Sequence, residues 1–173
     1  MGTTNDSKKG KTQLLTEVFM AKMGNKRQQI PTRPTVPDLD TRKLRAQLML
    51  EECMETIVLG LGLDVSIQAA SGKLPKINDE KFCFEESDRK PDLLQVADGI
   101  ADQLVVNEGT ASACGIAMEP IYHIVNSNNL SKFAPGHYFS DTGKLMKPPG
   151  FEGPDEQIRD ELVLQGWVIE NVL

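Results

Sequence analysis

The sequence has few of the residues that build the most familiar functional sites. Aromatic residues make up 5% of the 173 residues, and the chain has only two histidines and three cysteines. No apolar run approaches the roughly 20 residues that span a bilayer. The N-terminal sequence MGTTNDSKKGK also lacks the apolar stretch of a signal peptide. We therefore expect a cytoplasmic protein with no membrane partner and an aliphatic core.

Cysteine usage and net charge exclude further classes. Cys53, Cys83 and Cys114 lack the spacing of a metal-binding motif, and we interpret them as buried free thiols in a reducing compartment. The net charge of −6 argues against a nucleic-acid polymer as the partner. A phosphorylated small molecule remains compatible with this charge if metal ions and local basic residues offset the repulsion.

Hydrophobic periodicity predicts an all-α chain with few strand signals. Residues 1–12 are predicted to be disordered, and residues 13–173 to form a single domain. The predicted helices cover 13–23, about 38–61, about 91–115, 119–126 and 155–165. In the first helix Leu14, Leu15, Val18 and Phe19 are predicted to point inward, and Asp88 is predicted to cap the third.

The segments between these helices are predicted to be mostly irregular. Three prolines make 29–40 an extended connector on the surface. Residues 64–70 either extend the second helix or start a turn, and 71–90 form a loop with a short extended piece at 81–85. Residues after Asn126 form a long irregular segment up to Asp155, and 166–169 give a weak strand signal. The expected architecture is a helical bundle.

Two acidic clusters have helical spacing and lie among apolar residues. Residues three and four apart share a helix face, so each cluster projects its carboxylates side by side. Solvated helix faces are the plain alternative. No Lys or Arg lies between Pro91 and Asn107, however, so the second cluster has no cationic partner within its own helix. We predict that a metal ion neutralises these acids, which are Glu51, Glu52, Glu55, Asp98 and Asp102.

The kind of metal follows from the ligands that the sequence offers. A di-iron carboxylate bundle needs Glu-x-x-His pairs. The residues three before His123 and His137 are Pro120 and Ala134, so this site is excluded. A site made only of carboxylates favours Mg²⁺ or Mn²⁺. We interpret His123 as a surface or packing residue.

A second group of polar residues lies in VNSNNLSKFAPGHYFSDTGKLMKPPGF. It offers amides, hydroxyls and cations, at Asn126, Asn128, Asn129, Ser127, Ser131, Lys132, Lys144 and Lys147. Taken alone, such a segment is usually a polar loop. Beside a metal site, the same groups would hold phosphate and a base.

Taken together and in order, these segments resemble the all-α nucleotide pyrophosphohydrolases, the MazG-like and phosphoribosyl-ATP pyrophosphohydrolase-like group. LRAQLMLEECMET carries the Glu-Glu-x-x-Glu half of the family signature, and VADGIADQLVVNEGTASACGI is similar to the second acidic helix. IVNSNNLSKF and TGKLMKPPGF are similar to later elements of one branch. The resemblance covers about Glu17 to Phe151. Gln95 and Gly99 stand where a strict Glu-x-x-Asp would place glutamate.

The resemblance implies a four-helix core and metal-dependent hydrolysis of a nucleoside triphosphate to the monophosphate and pyrophosphate. It implies Mg²⁺ or Mn²⁺ on the five acids, with Glu52 or Glu55 activating water and Lys132 binding phosphate. Further expected substrate contacts are Asn107, Asn128, Asn129, Lys144 and Lys147, although Asn107 is equally compatible with a helix-surface amide. Family members are usually homodimers or homotetramers. Two alternatives stay open: phosphoribosyl-ATP as the substrate, and a non-catalytic helical module that binds metal or nucleotide.

Overall fold

A computed structural model describes residues 5–23, 30–68, 81–140 and 145–169. Within these ranges the protein is mostly helical with a few short strands, so the broad helical prediction is confirmed. The helices are a 3-10 helix at Asn5–Lys8, α1 (Lys11–Met23), α2 (Leu39–Glu55), a π-helical turn (Thr56–Gly60), α3 (Leu93–Ala113), α4 (Met118–Ser131) and α5 (Asp155–Leu164). The strands are β1 (Leu63–Gln68), β2 (Lys81–Glu86), β3 (Tyr138–Phe139) and β4 (Leu145–Met146).

The chain divides into two compact units. The central unit is Leu39–Asn107, and the terminal unit combines Met1–Asp38 with Glu108–Leu173. Helix α3 therefore contributes residues to both. Among the described helices, none has the length and apolarity that crossing a membrane requires.

In the central unit, the predicted second helix changes geometry before it ends. It is α-helical to Glu55 and continues as the π-helical turn Thr56–Gly60, which the Leu61 N–H closes by donating to the Thr56 carbonyl at 3.0 Å. Gly60 lies against Val96 so closely that a Cβ at residue 60 would be 3.0 Å from the Val96 backbone nitrogen. Glycine at this position therefore allows the π-helical turn and α3 to pack closely.

A β-hairpin separates these two helices. The prediction for 64–70 was wrong over residues 64–68, because β1 pairs antiparallel with β2, with Leu63 opposite Glu86 and Val65 opposite Phe84; residues 69 and 70 lie outside the described residues. Gly62 has φ +66°, a conformation that ends the helical path and lets the strand begin. The extended piece predicted at 81–85 is confirmed by β2.

The start of α3 differs by a few residues from the prediction. The Leu94 N–H donates to the Asp92 carboxylate at 2.9 Å, so Asp92 and not Asp88 caps the helix. The Asp92 N–H in turn donates to the Gly60 carbonyl at 2.8 Å. At the other end, Gly115 with φ +70° ends the helix, and the Ile116 N–H donates to the Ala111 carbonyl.

In the terminal unit, α1 buries a face that the periodicity did not predict. Gln13, Thr16 and Met20 are buried, whereas Leu15 is 61% exposed and Phe19 56% exposed. The predicted inward set of Leu14, Leu15, Val18 and Phe19 was therefore wrong. The physical reason is hydrogen bonding: the Gln13 amide donates to Ser112 Oγ at 3.1 Å and to the Ile116 carbonyl at 2.6 Å. Its Oε1 accepts from the Met118 N–H at 3.0 Å, so every strong polar group of this buried side chain has a partner.

Within the segment predicted to be disordered, residues 5–12 contain the 3-10 helix and the start of α1. The Asn5 amide donates to the Gln165 carbonyl at 3.1 Å, and Lys8 pairs with Glu161 at 2.9 Å. Lys9, whose side chain is almost fully buried, pairs with Glu17 at 2.8 Å. Polar side chains thus attach this short N-terminal segment to the terminal unit, a feature that a hydropathy pattern does not reveal.

The C-terminal part is more regular than predicted. Helix α4 continues past Asn126 to Ser131, and β3 and β4 form a small antiparallel hairpin. Helix α5 confirms the prediction for 155–165. The weak strand signal at 166–169 corresponds to no strand: Gly166, with φ +96°, ends α5, and the Trp167 N–H donates back to the Leu162 carbonyl. The connector Ile30–Asp38 is irregular as predicted, but Pro34 within it is buried.

Candidate functional site

The two acidic clusters meet in the central unit. Helices α2 and α3 place their acidic turns at one small cleft, which we call the acidic cleft. Its lining residues are Glu55, Thr56, Leu59, Gln95, Asp98, Gly99 and Asp102. Three of the five predicted metal ligands therefore line one space, and they come from both helices.

Close packing of the helix backbones forms the floor of the acidic cleft. Gly99 lies directly against the Thr56 side chain, so a Cβ at residue 99 would overlap its hydroxyl oxygen. Both residues are buried. Because Gly99 follows Asp98 and Thr56 follows Glu55, this contact lies directly beside the acidic side chains of both helices.

Glu52 is electrostatically linked to the same acids. Its side chain is half-buried, and this burial is the main reason that its pKa is raised above the ordinary value for glutamate. The negative charges of Asp102, Glu55, Glu51 and Asp98 raise the pKa further, in that order. A carboxyl on α2 thus responds to both acids of α3.

The negative charge of the cleft is not compensated by basic side chains. Among the described residues, no Lys, Arg or His forms an ion pair with any of the five acids. Glu51 accepts a hydrogen bond from the Gln47 amide at 2.7 Å, which places it in a pair on its own helix. Like charges held close together without a cation repel one another.

The chemistry of the donor set fits a hard divalent ion. Every candidate ligand is a carboxylate, the donor that Mg²⁺ and Mn²⁺ prefer. In the ranges that the structure describes, however, no three His, Cys, Asp or Glu side chains are arranged so that they could hold a metal ion. Glu55, Asp98 and Asp102 therefore share the cleft without being arranged as a metal-binding group.

Two polar residues beside the acids were missed by the sequence reasoning. Thr56 Oγ1 donates to the Glu52 carbonyl at 2.8 Å, and the Gln103 amide donates to Thr56 Oγ1 at 2.6 Å. Gln103 directly follows Asp102, and Thr56 directly follows Glu55. Neither residue type has a strong metal or catalytic signal in a sequence, although their positions next to acids are a usable hint.

The polar segment after residue 126 forms a separate group in the terminal unit. The ammonium groups of Lys132 and Lys147 lie 5.7 Å and 5.5 Å from the centre of the Phe151 ring. Both distances are within the range of a cation–π interaction. Lys132 also donates to Asn129 Oδ1 at 2.6 Å. Two predicted substrate-binding lysines therefore converge on an aromatic ring that the sequence reasoning had not singled out.

The remaining predicted contacts have different positions. The Asn128 amide donates at 2.9 Å to the carbonyl of Glu152, the residue that follows Phe151. Asn107 is exposed on α3 and does not line the acidic cleft. Lys144 lies outside the described residues.

The histidine and cysteine interpretations can also be compared with the structure. The His123 side chain is 67% exposed and lies 3.3 Å from Glu119 on the same helix, so its interpretation as a surface residue is confirmed. Cys53, Cys83 and Cys114 are free thiols, as predicted, but they are half-buried. None of the three lines the acidic cleft.

Comparison with known proteins adds no relative to this description. No protein-family model matches the chain, and no curated protein is significantly similar to it.

Proposed function

We propose that the acidic cleft binds a divalent cation, Mg²⁺ or Mn²⁺, and that the protein uses it to hydrolyse a nucleoside triphosphate to the monophosphate and pyrophosphate. We propose further that α2 and α3 belong to a four-helix core of the MazG-like kind. The resemblance of the acidic segments and of the lysine-bearing segment supports both parts.

One observation carries the proposal. Carboxylates from two helices, Glu55 on α2 and Asp98 and Asp102 on α3, line one cleft, and none of them has a cationic partner among the described residues. Like charges that share one cleft repel one another. A bound divalent cation would neutralise this repulsion and would also bind the phosphate groups of a substrate.

The residues then take distinct roles. Glu51, Glu52, Glu55, Asp98 and Asp102 supply the oxygen ligands. The metal supplies charge neutralisation and acidifies a water molecule. Glu52, which interacts with the acids of both helices, is the first candidate to accept a proton from the attacking water, and Glu55 is the second.

The lysine group is a separate element of the proposal. Lys132 and Lys147 carry positive charge without an acidic partner among the described residues, which suits an anionic ligand such as a phosphate. The resemblance extends this role to Lys144 and assigns Asn128 and Asn129 to sugar, base or phosphate. A loss of affinity for the triphosphate in lysine variants is the result that this part predicts.

The resemblance also predicts a homodimer or homotetramer in the cytoplasm. Exposed apolar side chains on α1 and α3, such as Phe19 and Ile100, are compatible with subunit contacts. The three free thiols are compatible with a reducing compartment.

The test is a pyrophosphate-release assay over a panel of canonical and modified nucleoside triphosphates and phosphoribosyl-ATP, with Mg²⁺, with Mn²⁺ and with chelator. We expect metal-dependent turnover of at least one nucleotide and a loss of roughly 100-fold or more in Glu52→Gln. Glu85→Gln is the matched control, because Glu85 is an exposed glutamate of the same unit outside the cleft.

Three other results would each change the account. Turnover of phosphoribosyl-ATP alone would favour the alternative substrate. Metal or nucleotide binding without release of pyrophosphate would favour a non-catalytic module. Equal loss in Glu52→Gln and Glu85→Gln would contradict the assignment of the acidic cleft.

A further inference from the structure

The β3–β4 hairpin of the terminal unit is preceded by a tight turn that its sequence specifies. Residues 134–137 read Ala-Pro-Gly-His, and the His137 N–H donates to the Ala134 carbonyl at 3.2 Å. Gly136 has φ +91°, and proline followed by such a glycine is the pattern of a type II turn. The Nδ1 atom of the His137 ring also donates to the Ala134 carbonyl, at 3.1 Å. The turn therefore fixes both the backbone and the ring of His137.

A second turn of the same kind follows the hairpin. Residues 148–151 read Pro-Pro-Gly-Phe, the glycine has φ +74°, and the Phe151 N–H donates to the Pro148 carbonyl at 3.1 Å. The two turns are in contact, because a Cβ on Gly136 would be 3.2 Å from Pro149 Cδ. They therefore hold their aromatic residues on one packed framework.

The ring of His137 connects two exposed phenylalanines. It lies edge-to-face with the Phe133 ring at 5.6 Å and with the Phe139 ring at 6.3 Å, measured between ring centres. Phe133 is 53% exposed and Phe139 is 57% exposed. We call Phe133, His137 and Phe139 the aromatic row. Exposed rings that are held in place by their neighbours offer flat faces on which another planar group can stack.

Positive charge is concentrated beside the aromatic row. Lys132 directly precedes Phe133, and its ammonium and that of Lys147 both lie within cation–π range of the Phe151 ring. Neither lysine has an acidic partner among the described residues. Residues 120–151 contain three lysines and a single acidic residue, an aspartate outside the described ranges, although the whole chain has a net charge of −6. This surface is therefore suited to an anion.

We propose that the aromatic row binds the base of a nucleotide by stacking, while Lys132 and Lys147 bind its phosphates. A nucleotide combines a planar ring system with an anionic chain, and the surface offers a complementary group for each part. This inference deepens the proposed function and rests on it for the phosphate role of the two lysines. It adds a means of binding the base, and it assigns the binding to groups that need no metal ion.

Calorimetric titration of the full chain with ATP, adenosine and inorganic tripolyphosphate, all in chelator, tests this inference. The chelator prevents metal-dependent turnover during the measurement. We expect ATP to bind more tightly than adenosine, which lacks phosphate, and more tightly than tripolyphosphate, which lacks a base. The double variant Phe133→Leu/Phe139→Leu keeps apolar side chains but removes both phenyl rings. We expect it to bind ATP roughly 10-fold or more weakly while its affinity for tripolyphosphate stays within about twofold of the wild type.

Two further variants separate base binding from phosphate binding. Phe84→Leu is the matched control, because Phe84 lies in β2 of the central unit and is 52% exposed, and we expect its ATP affinity to equal that of the wild type. Lys147→Met removes one ammonium group. We expect it to weaken the binding of ATP and of tripolyphosphate alike, by roughly 10-fold.

The outcomes distinguish this inference from the proposed function. If the double variant binds ATP as tightly as the wild type, the inference is wrong, and metal-dependent turnover of a nucleotide would still support the proposed function. If the double variant loses affinity for ATP and tripolyphosphate equally, the rings only support the surface and the inference is again wrong. If the wild type binds ATP through these rings but releases no pyrophosphate with either metal, the proposed function fails and the inference stands.

A single-stranded oligonucleotide provides the last comparison, because rows of exposed rings beside cations also bind such polymers. We expect an oligonucleotide of about ten residues to bind no more than about 10-fold more tightly than ATP. If it binds roughly 100-fold or more tightly, the occupant of the aromatic row is a polymer and the inference is wrong.

Discussion

The carboxyl of Glu52 on α2 is in the electrostatic field of Asp102 on α3. After its own partial burial, Asp102 is the largest influence that raises the pKa of Glu52. The two residues belong to different helices, and their side chains lie close enough to interact because Gly99 and Gly60 permit close helix packing. The two acidic segments of the sequence therefore lie close together in the structure and interact electrostatically.

We expect Asp102→Asn to lower the pKa of Glu52 toward its ordinary value, because the variant removes one of the nearby negative charges. A raised folded-state pKa means that the folded protein holds the Glu52 proton more tightly than the unfolded chain does. Stability from this group is therefore present below the unfolded pKa and is lost as pH rises through the folded pKa. Carboxyl-detected NMR titration measures the change, and an unaltered Glu52 titration would show that Asp102 does not act on it.

Glu108 predicts a second pH effect, in the terminal unit. Burial raises its pKa; a hydrogen bond from Thr12 opposes this, while the charges of Glu119 and Glu17 raise it further. Its Oε2 atom is buried and has no hydrogen-bond partner among the described residues. Because this acid is ionised at a cost in the folded state, stability should decline as pH rises through its folded pKa.

Glu108→Gln should therefore raise the stability at pH 7 and flatten this decline. Urea denaturation at pH 5 and pH 8 measures both effects. Glu156→Gln is the control, since Glu156 is an exposed glutamate on α5. A variant that is less stable than the wild type at pH 8 would contradict the prediction.

Gln13→Leu tests the buried polar face of α1. The substitution removes the hydrogen bonds of this fully buried side chain to Ser112, the Ile116 carbonyl and the Met118 N–H. We expect a loss of roughly 2–4 kcal/mol in the free energy of unfolding. Gln157→Leu, at an exposed position on α5, should change it by less than about 0.5 kcal/mol. If both variants changed the free energy of unfolding by similar amounts, the prediction would be contradicted, and the apolar residues of α1 would be its packing face after all.

Lys132→Met tests the lysine group. It keeps much of the aliphatic length but removes the ammonium that lies over Phe151 and bonds to Asn129. With a nucleotide that the wild type turns over, we expect kcat/KM to fall about 10-fold or more through lost phosphate contacts. Lys90→Met, at an exposed site in the central unit, is the matched control. If Lys132→Met and Lys90→Met were equally active, Lys132 would not be a substrate-binding residue.

The acidic cleft could be predicted from the sequence because its signal is local. Glu51, Glu52 and Glu55 fall within little more than one turn of one helix, and Asp98 and Asp102 within the same length of another. Helical spacing alone places each set on a face. Helical spacing does not predict the contact between the two helices, because this contact depends on Gly99 fitting against Thr56.

The polar interior of the terminal unit was less predictable for a related reason. Periodicity assigns Leu15 and Phe19 of α1 to the inside by their apolarity. The structure instead buries Gln13, because three partners distant in sequence satisfy its amide. Only the folded arrangement of α3 and α4 provides these partners. The β1 strand was missed likewise, since its pairing partner β2 lies across a long intervening segment.

Pyrophosphate release by the wild type, Asp102→Asn and Asp64→Asn, measured side by side with and without Mg²⁺, tests the central claim most directly. Asp64 is an exposed aspartate of the same unit and lies outside the acidic cleft. The account predicts Mg²⁺-dependent release by the wild type and Asp64→Asn and a rate lower by roughly 100-fold or more in Asp102→Asn. Release that is independent of metal, or equal in both variants, would contradict it.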